Sequence, residues 1–145
     1  MNQALIHVFL PIIAAIIINI IIYSNKWNDN NINNNNNDLL PPGYIIAIVW
    51  IIILGLLGYV HYKVYPSYTS YIIIIAIIYC LSYPFLTNGL KQTNAKLLNF
   101  ISLIIAMIVS ISVYMIDKNS VYLTVPFLLW TSYVNIVTNK NIDAN

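Results

Sequence analysis

The sequence predicts an all-α integral membrane protein, a bundle of five transmembrane helices. Three observations predict it. The 145-residue chain is 60% hydrophobic and only 7% charged, against about 25% charged residues in an ordinary soluble domain. Five separate stretches reach the roughly 20 apolar residues that a helix needs to cross the bilayer core. Those stretches show no alternation of polar and apolar residues, which a transmembrane barrel strand requires. Ile45 to Leu57 and Ile72 to Ile78 are continuous apolar runs. Their β-branched residues favour strands in water, but in lipid each segment must satisfy its own backbone hydrogen bonds, so helices win.

The first span runs from about Ala4 to Tyr23. It lacks a basic leader and its apolar run exceeds that of a signal peptide, so it reads as a retained helix. A polar loop over 25–40 follows, with an asparagine run from Asn33 to Asn37, a low-complexity tract. The second span covers Tyr44 to Tyr65, the third Tyr68 to Thr87, the fourth Ala95 to Ile116 and the fifth Ser120 to Thr138. The short turns at Tyr65–Pro66–Ser67, Asn88 to Asn94 and Asp117 to Asn119 make sequential helices antiparallel neighbours. The whole of 1–145 reads as a single domain without internal repeats.

Charge excludes several function classes. The net charge is +2, with no Arg and no Glu, and the six lysines are scattered singly. There is no basic patch for nucleic acid and no polybasic cluster for anionic lipid. Lys26, Lys91, Lys96 and Lys140 fall on one side and Lys63 and Lys118 on the other. The positive-inside rule then puts the C-terminus in the cytoplasm. No catalytic residue, metal site or cofactor is expected. The aspartates lie in loops and the tail without pairing for acid–base work. His7 and His61 have no companions at metal-ligand spacing and read as membrane-interface residues. Cys80, the single cysteine, reads as a small core hydrophobe.

Two segments carry the functional information. In the first, Pro41-Pro42-Gly43-Tyr44 leads into Trp50. The prolines suit the first turn of a helix, where N–H groups lack partners anyway. Tyr44 and Trp50 read either as belt and packing aromatics or as a pocket wall. Gly55 and Gly58, further along, permit close helix approach. In the second segment, Pro126-Phe127-Leu128-Leu129-Trp130 precedes Ser132, Tyr133 and Asn135. Pro126 removes a backbone bond and can kink the helix. Trp130 and Tyr133, three apart, share a face. An aromatic pocket between the second and fifth helices would suit a flat apolar ligand.

The run from Pro41 to Trp50 resembles the PPGWxFxxVW signature of the translocator protein (TspO) family. Leu57 to Tyr62 is similar to that family's MGxAxY stretch, and Pro126 to Tyr133 to its PYLAWxxF segment. The resemblance implies a tight five-helix bundle, often a homodimer, that binds tetrapyrroles such as protoporphyrin IX; eukaryotic members also bind cholesterol and benzodiazepine-type drugs. It implies Pro41, Pro42, Gly43, Tyr44, Ile46 and Trp50 on one wall of the pocket and Phe127 and Trp130 on the other. Ligand propionates would sit at the mouth, near Lys26. Departures from the pattern are Tyr44 for the tryptophan after PPG and Leu54 for a second-helix tyrosine. In the third helix, Tyr79 replaces an asparagine and Ser82 a tryptophan. The light-dependent porphyrin degradation of some members, which uses pocket tryptophans, is less expected for that reason. The third alternative is an interaction protein that acts on a membrane through the asparagine-rich loop. Leu57, Tyr59 and Lys63 fit the loose sterol pattern, which is too weak to carry an expectation.

Overall fold

The computed structural model describes residues 3–27, 41–89 and 95–143. Most of the asparagine-rich loop, 28–40, and part of the third connection, 90–94, lie outside the described residues. Among the described residues five helices are long and apolar enough to cross a membrane, the third counted with its π-helical turn to Thr87 and the fifth from Val121. They are α1 (Gln3–Ser24), α2 (Gly43–Val64), α3 (Tyr68–Pro84), α4 (Ala95–Ile116) and α5 (Val125–Asp143). Among the described residues there is no strand.

Each helix packs against the next in sequence, and α1 also touches α3 lightly. The centre is a stripe of each helix. In α2 it is Ile53, Leu54, Leu57, Val60 and Val64; in α3 it is Ile73, Ala76 and Cys80. In α4, Leu98, Ser102, Ala106, Val109 and Val113 recur every three or four residues on one buried face; this is the spacing of a single helical stripe. The opposite faces carry exposed Ile, Leu, Phe and Met, Leu10 and Met115 among them. In water such a surface would be an aggregation liability; in hydrocarbon it is the solvated side.

The helix ends have local causes. Pro42 caps α2 from just outside it, its carbonyl accepting from the Ile45 and Ile46 amides at 2.9 and 3.2 Å. The two prolines therefore precede the helix rather than occupy its first turn. α3 gives way at Pro84 to a π-helical turn, Phe85–Gly89, because Pro84 has no N–H to continue the regular ladder. The Thr87 hydroxyl donates to the Tyr83 carbonyl there at 3.0 Å.

The fifth span, Val121–Thr138, begins where the apolar pattern places it, but not as a regular α-helix. A 3₁₀ turn, Val121–Leu123, comes first, and α5 starts at Val125. The Ser120 hydroxyl donates to the Asp117 carboxylate, and the Thr124 hydroxyl donates to Ser110 Oγ on α4 at 3.0 Å. Pro126 thus falls in the first turn of α5, where its missing N–H has no bond to break, so it starts the helix instead of kinking it.

α1 is the peripheral helix. Only Pro11 and Ala15 of it are buried. It lies close on α2 because Gly58 has no side chain: a Cβ there would collide with the His7 carbonyl oxygen, and one on Gly55 would meet Ile12 Cδ1 at 3.0 Å. The reading of the two glycines as packing positions agrees with this geometry.

Candidate ligand groove

α2 and α5 are not sequential, and their backbones approach one another at fewer points than those of any sequential pair. They meet through side chains. The Trp50 ring stands edge-on to Phe127, centroids 6.3 Å apart, within the favourable range for aromatic pairs. Phe127 is 1% exposed and anchors α5 in the core. Beside this contact an open groove of 410 Å³ is lined by Pro41, Val49, Pro126, Leu129, Trp130 and Tyr133.

The groove wall is aliphatic and aromatic. Trp130 and Tyr133 lie together at 5.7 Å, tilted by 35°, as their three-residue spacing requires. Trp130 Nε1 is buried and has no hydrogen-bond partner. An indole N–H ordinarily finds an acceptor when buried; the Tyr133 hydroxyl is the other polar group on the aromatic residues of the wall.

The residues singled out in the sequence separate into groups. Pro41 and Trp130 line the groove. Trp50 and Phe127 are brought together behind it. Pro42, Gly43 and Tyr44 are exposed and Ile46 is half-buried, and none of these four lines the groove. Tyr44, at 68% exposure, sits as a belt aromatic does. Lys26 is exposed in the turn after α1 with a left-handed φ of 53°, and does not line the groove either. Val49, Pro126, Leu129 and Tyr133 complete the wall. Of these, Pro126 and Tyr133 carry a signal in the sequence, flanking Trp130 on one helical face. Val49 and Leu129 carry none, being aliphatic residues among many.

A second groove, 420 Å³, runs between α1 and α2, lined by Ile16, Asn19, Ile20, Tyr23, Ser24, Ala47 and Ile51. Asn19 donates from Nδ2 to the Ala15 carbonyl of its own helix at 2.9 Å.

A polar network holds α5 in place from the far side. Asn99 on α4 receives the Tyr83 hydroxyl of α3 at Oδ1 and donates from Nδ2 to Thr138 Oγ1 of α5 at 2.9 Å. Asn135 on α5 donates to the Asn99 carbonyl at 2.6 Å. Tyr79 donates to the Leu98 carbonyl at 2.7 Å. Asn135 therefore faces the bundle interior, as expected of a polar residue at membrane depth.

Sequence reasoning missed one constellation entirely. His7 on α1 and His61 on α2 share a hydrogen bond between their Nδ1 atoms at 2.6 Å, and the Tyr65 ring lies 5.9 Å from each. They are 54 residues apart, so no spacing rule connects them. Among the described residues no group of three or more His, Cys, Asp or Glu could hold a metal ion.

Outside the membrane spans, Asp117 is held below the usual carboxylate range. The Ser120 hydroxyl is the main cause, with the Asn119 and Ser120 amides and the charge of Lys63 adding to it against a desolvation effect.

Compared with known proteins, the chain matches the family model described as TspO/MBR family over residues 7–141. No curated protein and no solved structure matches it.

Proposed function

We propose that this chain, which belongs to the TspO/MBR family of membrane proteins, binds a tetrapyrrole or similar flat apolar molecule between α2 and α5 and moves it within or across the membrane. The observation that carries the proposal is the α2–α5 groove, walled by Trp130, Tyr133, Leu129, Val49 and two prolines. Two aromatic rings and rigid proline edges favour a planar partner, which stacks and buries area at about 25 cal/mol per Å² of apolar surface. Among the described residues no charged side chain lines the groove, which favours an uncharged part of the ligand within it. Carboxylates such as porphyrin propionates belong outside, in water.

Fluorescence tests the binding. Trp130 is at the wall and Trp50 stands just behind it, so protoporphyrin IX seated in the groove quenches both. Titration in detergent should give saturable quenching. Leu129→Trp, which fills the groove, should abolish saturation while leaving the helical circular dichroism intact. Unsaturable quenching in the parent chain, or saturation unchanged in Leu129→Trp, rejects the site. Movement is tested separately, by uptake of the porphyrin into proteoliposomes against protein-free vesicles.

A further inference from the structure

We propose that His7 and His61 form a proton-operated latch: the pair holds the N-terminal end of α1 on α2 and releases it when both imidazoles are protonated. The contact is a single hydrogen bond of 2.6 Å between the two Nδ1 atoms, with ring centroids 4.7 Å apart. Such a bond needs one nitrogen with a proton and one with a free lone pair.

Counting protons gives the switching step. In the neutral pair one Nδ1–H donates and the other Nδ1 accepts. One added proton leaves a donor and an acceptor in place and makes the bond charge-assisted, which strengthens it. A second added proton turns both rings into donors only. Two N–H groups then point at each other, and two like charges face across the gap. Only the second added proton opens the contact.

The surroundings offer that second charge nothing. His61 is 9% exposed, and its Nε2 is buried without a partner. With one proton added and the bond intact, both Nε2 atoms carry hydrogen. His61 then already holds a buried donor with no acceptor, a costly group, and the second proton goes to the Nδ1 that had been accepting. Among the described residues the titratable groups facing the pair are the Tyr62 ring, 5.7 Å from His7, and the Tyr65 ring. α3 begins nearby with Tyr68 and Tyr71, both exposed. Lys63 bears on Asp117, whose carboxylate is engaged by Ser120. None of these is a carboxylate free to neutralise an imidazolium.

α1 is the element that would move. Its buried residues are Pro11 and Ala15, while Leu5, Ile6, Phe9 and Leu10 face outward. Loss of the histidine bond leaves this end of α1 resting on apolar packing, chiefly the close approach at Gly58 and the Ile12 side chain on Gly55.

The test uses the full chain in phospholipid nanodiscs. With ¹⁵N-histidine, the coupling across the Nδ1–H···Nδ1 bond is followed from about pH 8 to about pH 4, spanning the ordinary histidine value of roughly 6.5. Spin labels at Gln3→Cys and Tyr68→Cys report the distance between the ends of α1 and α3 over the same range. Loss of the coupling together with a longer, broader distance supports the latch, provided that His7→Phe and His61→Phe abolish the pH response of the distance. A coupling that persists to the acid end, an unchanged distance, or the same response in either variant overturns it. Should a variant fail to fold, the coupling and distance of the parent chain decide alone.

Discussion

Gly58 of α2 lies against the carbonyl oxygen of His7 in α1 so closely that any β-carbon would collide with it. That carbonyl is the acceptor that Pro11, four residues on and lacking an N–H, leaves without its regular helical partner. A proline frees the oxygen on one helix and a glycine on the other lets the neighbouring backbone reach it, as in the weak Cα–H···O contacts common at helix interfaces.

Gly58→Ala should destabilise the bundle by about 1–3 kcal/mol, the usual range for overpacking a close contact, because backbone stands in the way. Gly55→Ala should cost less, since only the end of the Ile12 side chain must move. Thermal unfolding in detergent checks the order; equal effects would mean that α1 rides elsewhere on α2.

Trp130→Phe removes the buried Nε1–H that has no partner. Stability should stay level or rise, because an unsatisfied buried donor costs about 1–3 kcal/mol. Porphyrin affinity, read from the quenching of Trp50, should fall by roughly threefold to tenfold if the ligand takes that donor, from a net hydrogen bond of about 0.5–1.5 kcal/mol. A variant that loses stability and keeps affinity contradicts both halves.

Asn99→Leu breaks bonds to Tyr83 and Thr138 in one step. A loss of about 1–3 kcal/mol is expected, mostly from hydroxyls left unpaired. Adding Tyr83→Phe should recover part of it, because that change removes one of the orphaned groups. A double-mutant cycle in detergent measures the coupling, and strict additivity would show that the Tyr83–Asn99 bond is not made.

Ser120→Ala should raise the Asp117 pKa towards the ordinary value, because the serine hydroxyl is the chief cause of its depression. The sign for stability follows. A carboxylate whose folded pKa is depressed stabilises the fold above its unfolded pKa of roughly 3.9, and that contribution is lost as pH falls through the lower folded value. The variant should therefore show less acid dependence at the bottom of the range. Carboxyl NMR of Asp117 in both chains checks the shift directly.

Much of the architecture was legible because hydropathy is a local property. A run such as Ile72 to Ile78 cannot face water whatever surrounds it, and in lipid its backbone must bond within its own helix. The ends were less legible. The fifth span starts at Val121, next to the expected Ser120, but its regular α-helix begins only at Val125, because Asp117, Ser120 and Thr124 engage their side chains in a turn. The groove was half legible. Aromatic and proline residues announce themselves in an aliphatic chain, so Pro41 and Trp130 could be singled out, while Val49 and Leu129 could not.

By itself, then, the sequence determined that five apolar helices cross a membrane in antiparallel order and that two short segments differ from the lipid-facing bulk. Only the tertiary structure decided which faces meet. It placed Trp50 on Phe127 and left Tyr44 outside; it joined Asn99 to Tyr83, Thr138 and Asn135; and it set His7 against His61. The physical reason is that lipid accepts any apolar face equally. Helix rotation is therefore set by close approach at small residues and by the few polar groups that must find one another, and those pairings are long-range.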